Sequence, residues 1–376
     1  MKNLTLLLAP IVLLTACGGQ GQMTKAPALT SLAESSTSAE CSRLSLESAI
    51  DSTLQSIVTD VNDFSFYVED INGDSYEFNR GNSTLQTPYE SASTSKWVTA
   101  AVIMQLVDSG LLSLTDTPNT FLSQDEWPMP ARDPLSGLTL AQLLSFTSGL
   151  NRTPICTNSP NSDFFACINN IARNNRLFNS TPGAEFYYGS SHLQVAGAMA
   201  IKALGGEDAD YGWSDVFANF KSLTGLFPTS AYNLPSVENP RLAGGMTWTG
   251  EEYINFIRAF RDLDFYTSPA IVDQMTSDQL NGAVVANSPA LDGIGEDWHY
   301  GFGMWVECHQ SSFSDACLPT EQVSSPGAYG AYPFLNIAEG YFGLVARQGE
   351  LGTFSEGYAI YDAIRDDVEA WAACPN

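Results

Sequence analysis

The chain has 376 residues, enough for one large domain or two smaller ones, and its 44% hydrophobic and 11% aromatic content excludes wholesale disorder. The 16 Lys and Arg residues stand against 42 Asp and Glu residues, a formal net charge of −26. This balance argues against binding nucleic acid or anionic lipid through a basic patch, and the acidity itself is typical of surface adaptation for solubility.

The first residues predict export. Lys2 leads into a short apolar stretch, residues 6–14. This stretch is too short to span a bilayer as a permanent helix, but it suits the core of a signal peptide. The prediction is a signal peptide over residues 1–16.

Small residues precede a cysteine in Thr15-Ala16-Cys17. They resemble the bacterial lipobox, in which Cys17 would be lipidated and become the new N-terminus. An ordinary secretory signal followed by a chance cysteine is the alternative. Gly18 follows Cys17, which in this resemblance implies the outer membrane. Residues 17–40, rich in Gly, Ser, Thr, Ala and Gln, predict a flexible tether.

The start of the folded region shows clear periodicities. Apolar residues at helical spacing predict an amphipathic helix over residues 43–60. Alternation on both sides of Asn72-Gly73 predicts a β-hairpin over residues 64–78. Residues 96–110 predict a second helix, apolar enough to be central and ended by Gly110.

The middle of the chain, residues 111–240, mixes short helical patterns with long polar loops. Thr249 to Glu252 reads as a capping box that opens another helix. Three strands and a closing helix are then predicted, at residues 301–306, 329–336, 341–347 and 356–373.

This order predicts an α/β (α+β) fold, in which an antiparallel sheet flanked by helices is built from both chain ends and carries an inserted helical domain. One domain over residues 41–376 is expected, with the α/β part at about 41–92 and 241–376 and the helical part at about 93–240.

Six cysteines follow Cys17, an even number that suits an oxidising compartment. Two pairs are local, Cys156 with Cys167 and Cys308 with Cys317, which leaves Cys41 and Cys374 at the two ends of the folded region. The sequence alone does not exclude other connectivities. This pairing would place the domain's ends side by side.

Ser93 and Lys96 are the first catalytic candidates. The chain has no G-x-S-x-G elbow and only three histidines, of which His192 is the best candidate base, so a Ser-His-Asp triad has little support. A serine and a lysine at i and i+3 share one helix face, and a buried lysine has a lowered pKa that lets it act as a base. The spacing alone is a weak signal in a serine-rich chain.

The segments around Ser93 and Lys96 strengthen the prediction that these two residues are catalytic. The segment Thr87 to Lys96 resembles the nucleophile region of the serine β-lactamase and penicillin-binding-protein superfamily, especially its class-C-like esterases and 6-aminohexanoate-dimer hydrolases. Further family-like blocks follow in order: Leu112–Asp116, Leu138–Leu150 (with Phe146 where histidine is usual), Pro182–Ser190, Ala243–Met246 and Tyr300–Trp305. The resemblance runs from about residue 60 to residue 350.

The resemblance implies further site residues. It makes Tyr188 the proton shuttle to the leaving group, with a phenol pKa lowered by the neighbouring lysine. It places the backbone N–H groups of Ser93 and Ala328 in an oxyanion hole. It also places Ser190, Gly327 and Tyr329 at the substrate, with Gly327 permitting close approach.

Two departures from the family pattern affect the substrate. Ser190 stands where the family has asparagine and cannot supply an amide's donor and acceptor together. Ser325-Pro326-Gly327 aligns best with the family's third motif and carries no cation. A penicillin carboxylate would lack its usual partner there, which favours an uncharged ester or amide.

The sequence therefore predicts a serine hydrolase that cleaves a small ester or amide through an acyl-enzyme on Ser93, with no metal or organic cofactor. A β-lactamase or D-Ala-D-Ala peptidase is one alternative, and a non-catalytic surface lipoprotein that retains the fold is another. The expected partner is the small-molecule substrate, with no nucleic acid and with membrane contact only through the lipid anchor. The oligomeric state is left open.

Overall fold

The computed structural model describes residues 41–178, 180–206, 208 and 210–375, which belong to one compact unit beginning at Cys41. The predicted signal peptide, Cys17 and the tether lie outside the described residues. The helices are α1 Arg43–Ser56, α2 Ser95–Asp108, α3 Pro118–Phe121, α4 Leu140–Leu144, α5 Phe164–Asn175, α6 Ser191–Gly205, α7 Trp213–Thr224, α8 Gly250–Arg261, α9 Pro269–Thr276, α10 Pro289–Ile294, α11 Phe354–Asp362 and α12 Arg365–Ala373.

The strands form one large sheet and two small ones. They are β1 Phe64–Glu69, β2 Ser75–Arg80, β3 Pro88–Glu90, β4 Glu185–Tyr187, β5 Ala231–Tyr232, β6 Met246–Thr249, β7 Val284–Asn287, β8 His299–Tyr300, β9 Trp305–Val306, β10 Gln322–Ser324, β11 Tyr332–Asn336 and β12 Phe342–Arg347. Five short 3₁₀ helices are also described, at Ala92–Thr94, Pro134–Gly137, Ile155–Asn158, Arg176–Phe178 and Asp315–Cys317.

The large sheet has seven antiparallel strands in the order β2-β1-β12-β11-β10-β9-β8. Its centre joins the two chain ends, because β1 pairs with β12 in the register Phe64 to Arg347. Every residue of β1, β11 and β12 is buried, and helices α8 and α11 pack against β11 and β12. The expected antiparallel sheet built from both ends and flanked by helices is therefore confirmed.

A disulfide joins the two ends of the folded region, Cys41 to Cys374. Beside it, helices α1 and α12 pack together, and Arg43 Nε donates to the Cys374 carbonyl at 2.8 Å. Trp371 Nε1 donates to Glu47 Oε1 at 3.0 Å. The two local pairs, Cys156–Cys167 and Cys308–Cys317, are also disulfides, so all three predicted pairings are present.

Helix α2 is the buried axis of the fold. Eleven of its 14 residues are buried, because the segment is apolar nearly all round. Its end agrees with the prediction: Gly110 takes a φ of +76° just beyond the last turn, a conformation that glycine adopts without steric cost.

Three local predictions were wrong in detail. The segment predicted as a strand at 301–306 is a tight hairpin, because Gly303 has φ +79° and turns β8 into β9. The predicted strand at 329–336 begins only at Tyr332, after a turn. The predicted closing helix 356–373 is two helices, α11 and α12, separated where Ile364 has φ −121° and remains buried.

The predicted capping box at Thr249 is half formed. The Thr249 side chain accepts from the Glu252 N–H at 3.4 Å. The Glu252 carboxylate instead accepts from Thr229 and Ser230 on a neighbouring loop. A tertiary contact has thus replaced the reciprocal local bond.

Candidate active site

Ser93 lies in a short 3₁₀ turn that runs directly into helix α2. The preceding residue, Ala92, has φ +46°, a left-handed conformation that costs a non-glycine residue on the order of 1–2 kcal/mol. Neighbouring elements hold this turn. Tyr253 Oη donates to the Thr94 carbonyl at 2.8 Å, and Ser325 Oγ donates to the Ser93 carbonyl at 3.1 Å.

Lys96 lies one helical turn beyond Ser93 and reaches back to it. Its Nζ is 2.8 Å from Ser93 Oγ and donates to the Ala243 carbonyl at 2.7 Å. The side chain is only 3% exposed. Burial, and then the charge of Arg241, hold the Lys96 pKa well below its usual value. At a given pH a larger fraction of this amine is therefore unprotonated, and able to accept a proton, than of an exposed lysine amine.

Tyr188 closes the third side of Ser93. The centroid of its ring lies 4.6 Å from Lys96 Nζ. The ring stacks on Trp305 at 5.2 Å and meets Phe146 and Tyr300 edge-on. Burial raises the Tyr188 pKa, and its hydrogen bond with the Ser93 side chain opposes that rise only in part. The expected lowering of this phenol pKa by a lysine cation is therefore wrong, because burial disfavours both the ammonium and the phenolate. Tyr188 is a neutral phenol that can donate a proton.

The serines on either side of Ser93 have other partners. Ser95 and Ser91 hydrogen-bond to each other through their hydroxyl groups. The Met246 N–H donates to Ser95 Oγ at 3.2 Å. Both side chains are buried, whereas Ser93 is half-buried. Among these three serines, Ser93 alone hydrogen-bonds to Lys96.

The large sheet supplies the opposite wall through the turn after β10. Ala328 lies beside Ser93, and its N–H donates to no backbone carbonyl of the described residues. Gly327 is buried against the nucleophile turn: a Cβ there would lie 2.6 Å from the Ser91 carbonyl oxygen. The glycine thus permits a close approach of this turn to the turn that carries Ser93, and it brings Ala328 next to Ser93.

Two cavities flank Ser93 and share Ser93, Tyr188 and Ala328. We call the first the apolar pocket; it has about 130 Å³ and is otherwise lined by Pro289, Ala290, Trp298, Trp305, Pro326 and Phe354. We call the second the polar cleft; it has about 340 Å³ and is otherwise lined by Ala92, Lys96, Thr153, Gly189, Ser190, Arg241, Ala243, Gly244 and Leu351.

His192 takes no part in the contacts of Ser93. Its Nε2 donates to the Tyr187 carbonyl at 2.9 Å, and its Nδ1 accepts from Ser148 Oγ at 2.8 Å. Phe146 stacks on its ring at 4.8 Å. Burial is the main cause that lowers the His192 pKa to about 3, so the ring is neutral. The histidine supports the backbone next to Tyr188.

Of the two remaining residues predicted to contact the substrate, Ser190 and Tyr329, only Ser190 lines a cavity beside Ser93. Ser190 lines the polar cleft, where its N–H donates to Thr153 Oγ1 at 3.3 Å. Tyr329 lines neither cavity beside Ser93 and instead hydrogen-bonds to Glu90.

Sequence reasoning missed Arg241, Phe354 and the residues of helix α10. Arg241 carries a faint signal, because it comes two residues before the family-like block that starts at Ala243. Phe354 and α10 carry none. Among the described residues, no group of three or more His, Cys, Asp and Glu side chains is placed to hold a metal ion. No helix of the described part of the chain is long and apolar enough to cross a membrane.

Several solved structures share the fold of this chain over most of its length. A protein from Bacteroides dorei assigned as a beta-lactamase is 26% identical with a TM-score of 0.69, and the match covers 87% of this chain and 99% of that one. EstCE1, described as a hydrolase with promiscuous acyltransferase activity, is 17% identical with a TM-score of 0.67 over 87% and 99% of the two chains.

A variant of the simvastatin synthase LovD from Aspergillus terreus is 15% identical with a TM-score of 0.63, and the match covers 91% of this chain and 100% of that one. Because EstCE1 and LovD share so few identical residues with this chain, these two similarities show the fold alone. No curated protein matches the chain. The Beta-lactamase family model matches residues 67–361, a span that contains Ser93, Lys96 and Tyr188. The chain therefore belongs to the Beta-lactamase family.

Proposed function

We propose that the protein is a serine hydrolase that cleaves a small ester or amide through an acyl-enzyme on Ser93. One observation carries the proposal: a buried lysine with a lowered pKa lies 2.8 Å from the Ser93 hydroxyl. A neutral amine at that distance can accept the hydroxyl proton, which is what an alcohol nucleophile requires.

In the first half of the reaction, Lys96 Nζ takes the Ser93 proton as Oγ bonds to the substrate's carbonyl carbon. The carbonyl electron pair moves to oxygen, where the N–H groups of Ser93 and Ala328 stabilise the negative charge. When the tetrahedral intermediate collapses, the bond to the leaving group breaks. Tyr188 Oη donates the proton that the leaving alcohol or amine needs, and the Lys96 ammonium returns its proton to the phenolate.

In the second half, water attacks the acyl carbon and loses a proton to the same machinery. The bond to Oγ breaks, the carboxylic acid leaves, and Ser93 recovers its proton. We assign the acyl group to the apolar pocket and the leaving group to the polar cleft, because water must enter where the leaving group departs. A volume of about 130 Å³ suits a short acyl chain.

We further propose that the protein is exported and anchored by a lipid on Cys17 at the outer membrane. The three disulfides support export, because such bonds persist in oxidising compartments. Metabolic labelling with a fatty-acid analogue tests the anchor: we expect label on the wild-type protein and none on Cys17→Ser. Equal labelling of both would contradict it.

The test of catalysis uses a fluorophosphonate probe and a short-chain p-nitrophenyl ester. We expect the probe on Ser93, and not on Ser91 or Ser95, when the labelled peptide is mapped by mass spectrometry. Ser93→Ala should lose both labelling and ester turnover while remaining folded. A folded wild-type protein that never reacts at Ser93 would favour a non-catalytic lipoprotein instead.

A penicillin-type substrate is the second candidate, since a relative that is 26% identical is assigned as a beta-lactamase. The two candidates separate on one measurement. A penicillin that acylates Ser93 faster than the p-nitrophenyl ester would favour the cell-wall or antibiotic amide, whereas slow or absent penicillin labelling favours the ester or small amide.

A further inference from the structure

The polar cleft contains a cation whose role the proposed reaction leaves open. Arg241 lines the same cavity as Ser93 and Ser190. Its side chain is half-buried, and burial lowers its pKa from the usual value without removing its charge at neutral pH. A positive group thus faces the space into which the leaving group departs.

The hydrogen-bond partners of this guanidinium are neutral. Arg241 Nη1 donates to Asn158 Oδ1 at 2.6 Å and Nη2 donates to the Gly244 carbonyl at 3.2 Å. After burial, two acidic groups act on Arg241 through their charge, Tyr329 first and then Glu90, and the Glu90 carboxylate hydrogen-bonds to Tyr329.

Six of the other arginines in the described part of the chain form ion pairs, whereas Arg80, Arg132, Arg152 and Arg173 do not and line neither cavity beside Ser93. Within the described residues, arginine side chains that pair with a carboxylate within 4.0 Å are Arg43, Arg176, Arg258, Arg261, Arg347 and Arg365. Arg241 is not among them. A half-buried guanidinium with neutral partners favours an added anion, because a charge-assisted bond replaces contacts to neutral acceptors.

The arginine is also held in place by the catalytic framework. It begins the turn whose next residues include Ala243, the acceptor of the Lys96 amine. A Cβ at Gly244 would lie 3.1 Å from Arg241 Nε, so the glycine leaves room for the guanidinium against the backbone. The same turn therefore positions both the base and the cation, and it limits the rotamer freedom that Arg241 would lose on binding.

We propose that Arg241 binds a carboxylate on the leaving group of the substrate, so that the enzyme prefers esters or amides whose alcohol or amine part is anionic. The inference rests on the proposed hydrolase function and names its substrate class. A planar guanidinium fork matches a carboxylate in a two-point contact. In this proposal the cation that Ser325-Pro326-Gly327 lacks comes from another segment of the chain, and the leaving group is anionic where the sequence analysis predicted an uncharged substrate.

The test compares two ligands of nearly equal shape, 3-acetoxybenzoate and its carboxamide, 3-acetoxybenzamide. Binding is measured calorimetrically to the full-length Ser93→Ala protein, which holds the esters uncleaved. We expect the carboxylate to bind at least about tenfold more tightly than the carboxamide, as for a hydrogen bond to a charged group. Adding Arg241→Gln should bring the two affinities together with that for the carboxamide unchanged.

Two further variants keep the test interpretable. Arg132→Gln removes the same charge at an exposed position away from both cavities, and it should keep the tenfold preference. Arg241→Lys keeps the charge but loses the fork, and it should retain only part of the preference. Equal affinities in the Ser93→Ala protein, or a preference that persists in Arg241→Gln, would overturn the proposal.

Turnover by the wild-type protein separates this proposal from the function on which it rests. Hydrolysis of both esters without a carboxylate preference, dependent on Ser93, would overturn the role of Arg241 and leave the hydrolase standing. A carboxylate preference in binding with no turnover of either ester would keep the anion site and overturn the hydrolase. We expect kcat/KM to favour the carboxylate ester at least about tenfold, mainly through KM.

Discussion

The two cavities beside Ser93 differ in chemistry although they share a wall. The apolar pocket is closed by aromatic and proline side chains from α10, the large sheet and α11. The polar cleft is lined by Lys96, Ser190 and Arg241 from the helical side of the molecule and its loops. In the proposed reaction, Ser93 therefore faces one region that would select the acyl group by size and another that would select the leaving group by charge. The division suggests that acyl and leaving-group preferences can be altered separately.

Replacing the proposed base, Lys96, should give the largest loss of activity. It should affect proton transfer in the polar cleft and leave binding in the apolar pocket unchanged. We expect Lys96→Ala to lower kcat/KM for a short p-nitrophenyl ester by about a thousandfold, within the range for general-base catalysis. Affinity for an apolar acyl-chain analogue should be nearly unchanged, because the apolar pocket is not lined by Lys96. The matched control, Lys202→Ala, deletes a lysine paired with Glu126 and should retain activity. Comparable losses in both variants would argue against Lys96 as the base.

Loss of the Tyr188 hydroxyl should have the next largest effect. Tyr188→Phe keeps the stacking on Trp305 but removes the proton donor, so we expect a loss of about a hundredfold for an alkyl ester. The loss should be smaller for the p-nitrophenyl ester, because nitrophenolate leaves without protonation. Tyr187→Phe, which changes the neighbouring tyrosine, serves as the control in steady-state kinetics. An equal loss for both esters would exclude proton donation to the leaving group.

Enlarging the apolar pocket should change the ratio of kcat/KM between longer acyl esters and acetate esters by about tenfold. Phe354→Ala removes an aromatic wall of this pocket, so esters with longer acyl chains should gain in kcat/KM relative to acetate esters, in proportion to the apolar area they bury. The preference for a carboxylate leaving group should stay as in the wild type. Phe178→Ala, at a residue that is 50% exposed, is the control. An unchanged chain-length profile would show that the acyl group lies elsewhere.

The pH profile should give the smallest effect and links Arg241 to the base. Lys96 must be neutral to accept a proton, so kcat/KM should rise with pH through an apparent pKa below the usual lysine value of 10.5, first because of burial and then because of Arg241. Arg241→Gln removes the nearby positive charge, which raises the Lys96 pKa and moves the rise to higher pH. Rates on a neutral ester, corrected for uncatalysed hydrolysis, measure this. A shift to lower pH would contradict the sign.

Local patterns in the sequence predicted much of the frame. The alternation at residues 64–78 and the apolar run after Lys96 correspond to β1, β2 and α2, because each pattern is set by side-chain periodicity over a few turns. The hairpin at β8 and β9 was missed because Gly303 turns a run that reads as a strand. Its φ of +79° and the close approach of its backbone to Lys96 depend on tertiary packing.

In the candidate site, too, some contacts follow from local sequence and others depend on tertiary packing. The serine and lysine meet because a spacing of three residues lies on one helix face, and this contact is local. Tyr188 was placed by a family-like motif, but its raised pKa follows from burial that no motif expresses. Ser190 and Tyr329 were predicted together, yet the first lines the polar cleft and the second pairs with Glu90.

The sequence by itself determined the antiparallel frame and the contact of Ser93 with Lys96, because periodicity and helical spacing are properties of short segments. It predicted the disulfide pairing from cysteine positions, but only the structure excluded the other connectivities. Only the tertiary structure decided what surrounds the nucleophile. Arg241, Phe354 and Ala328 lie more than a hundred residues from Ser93, and they meet it because the sheet, α11 and the turn before β6 pack around the start of α2. Contacts of that range depend on the packing of whole elements, so an apolar pocket on one side of Ser93 and a charged cleft on the other appear only in the folded chain.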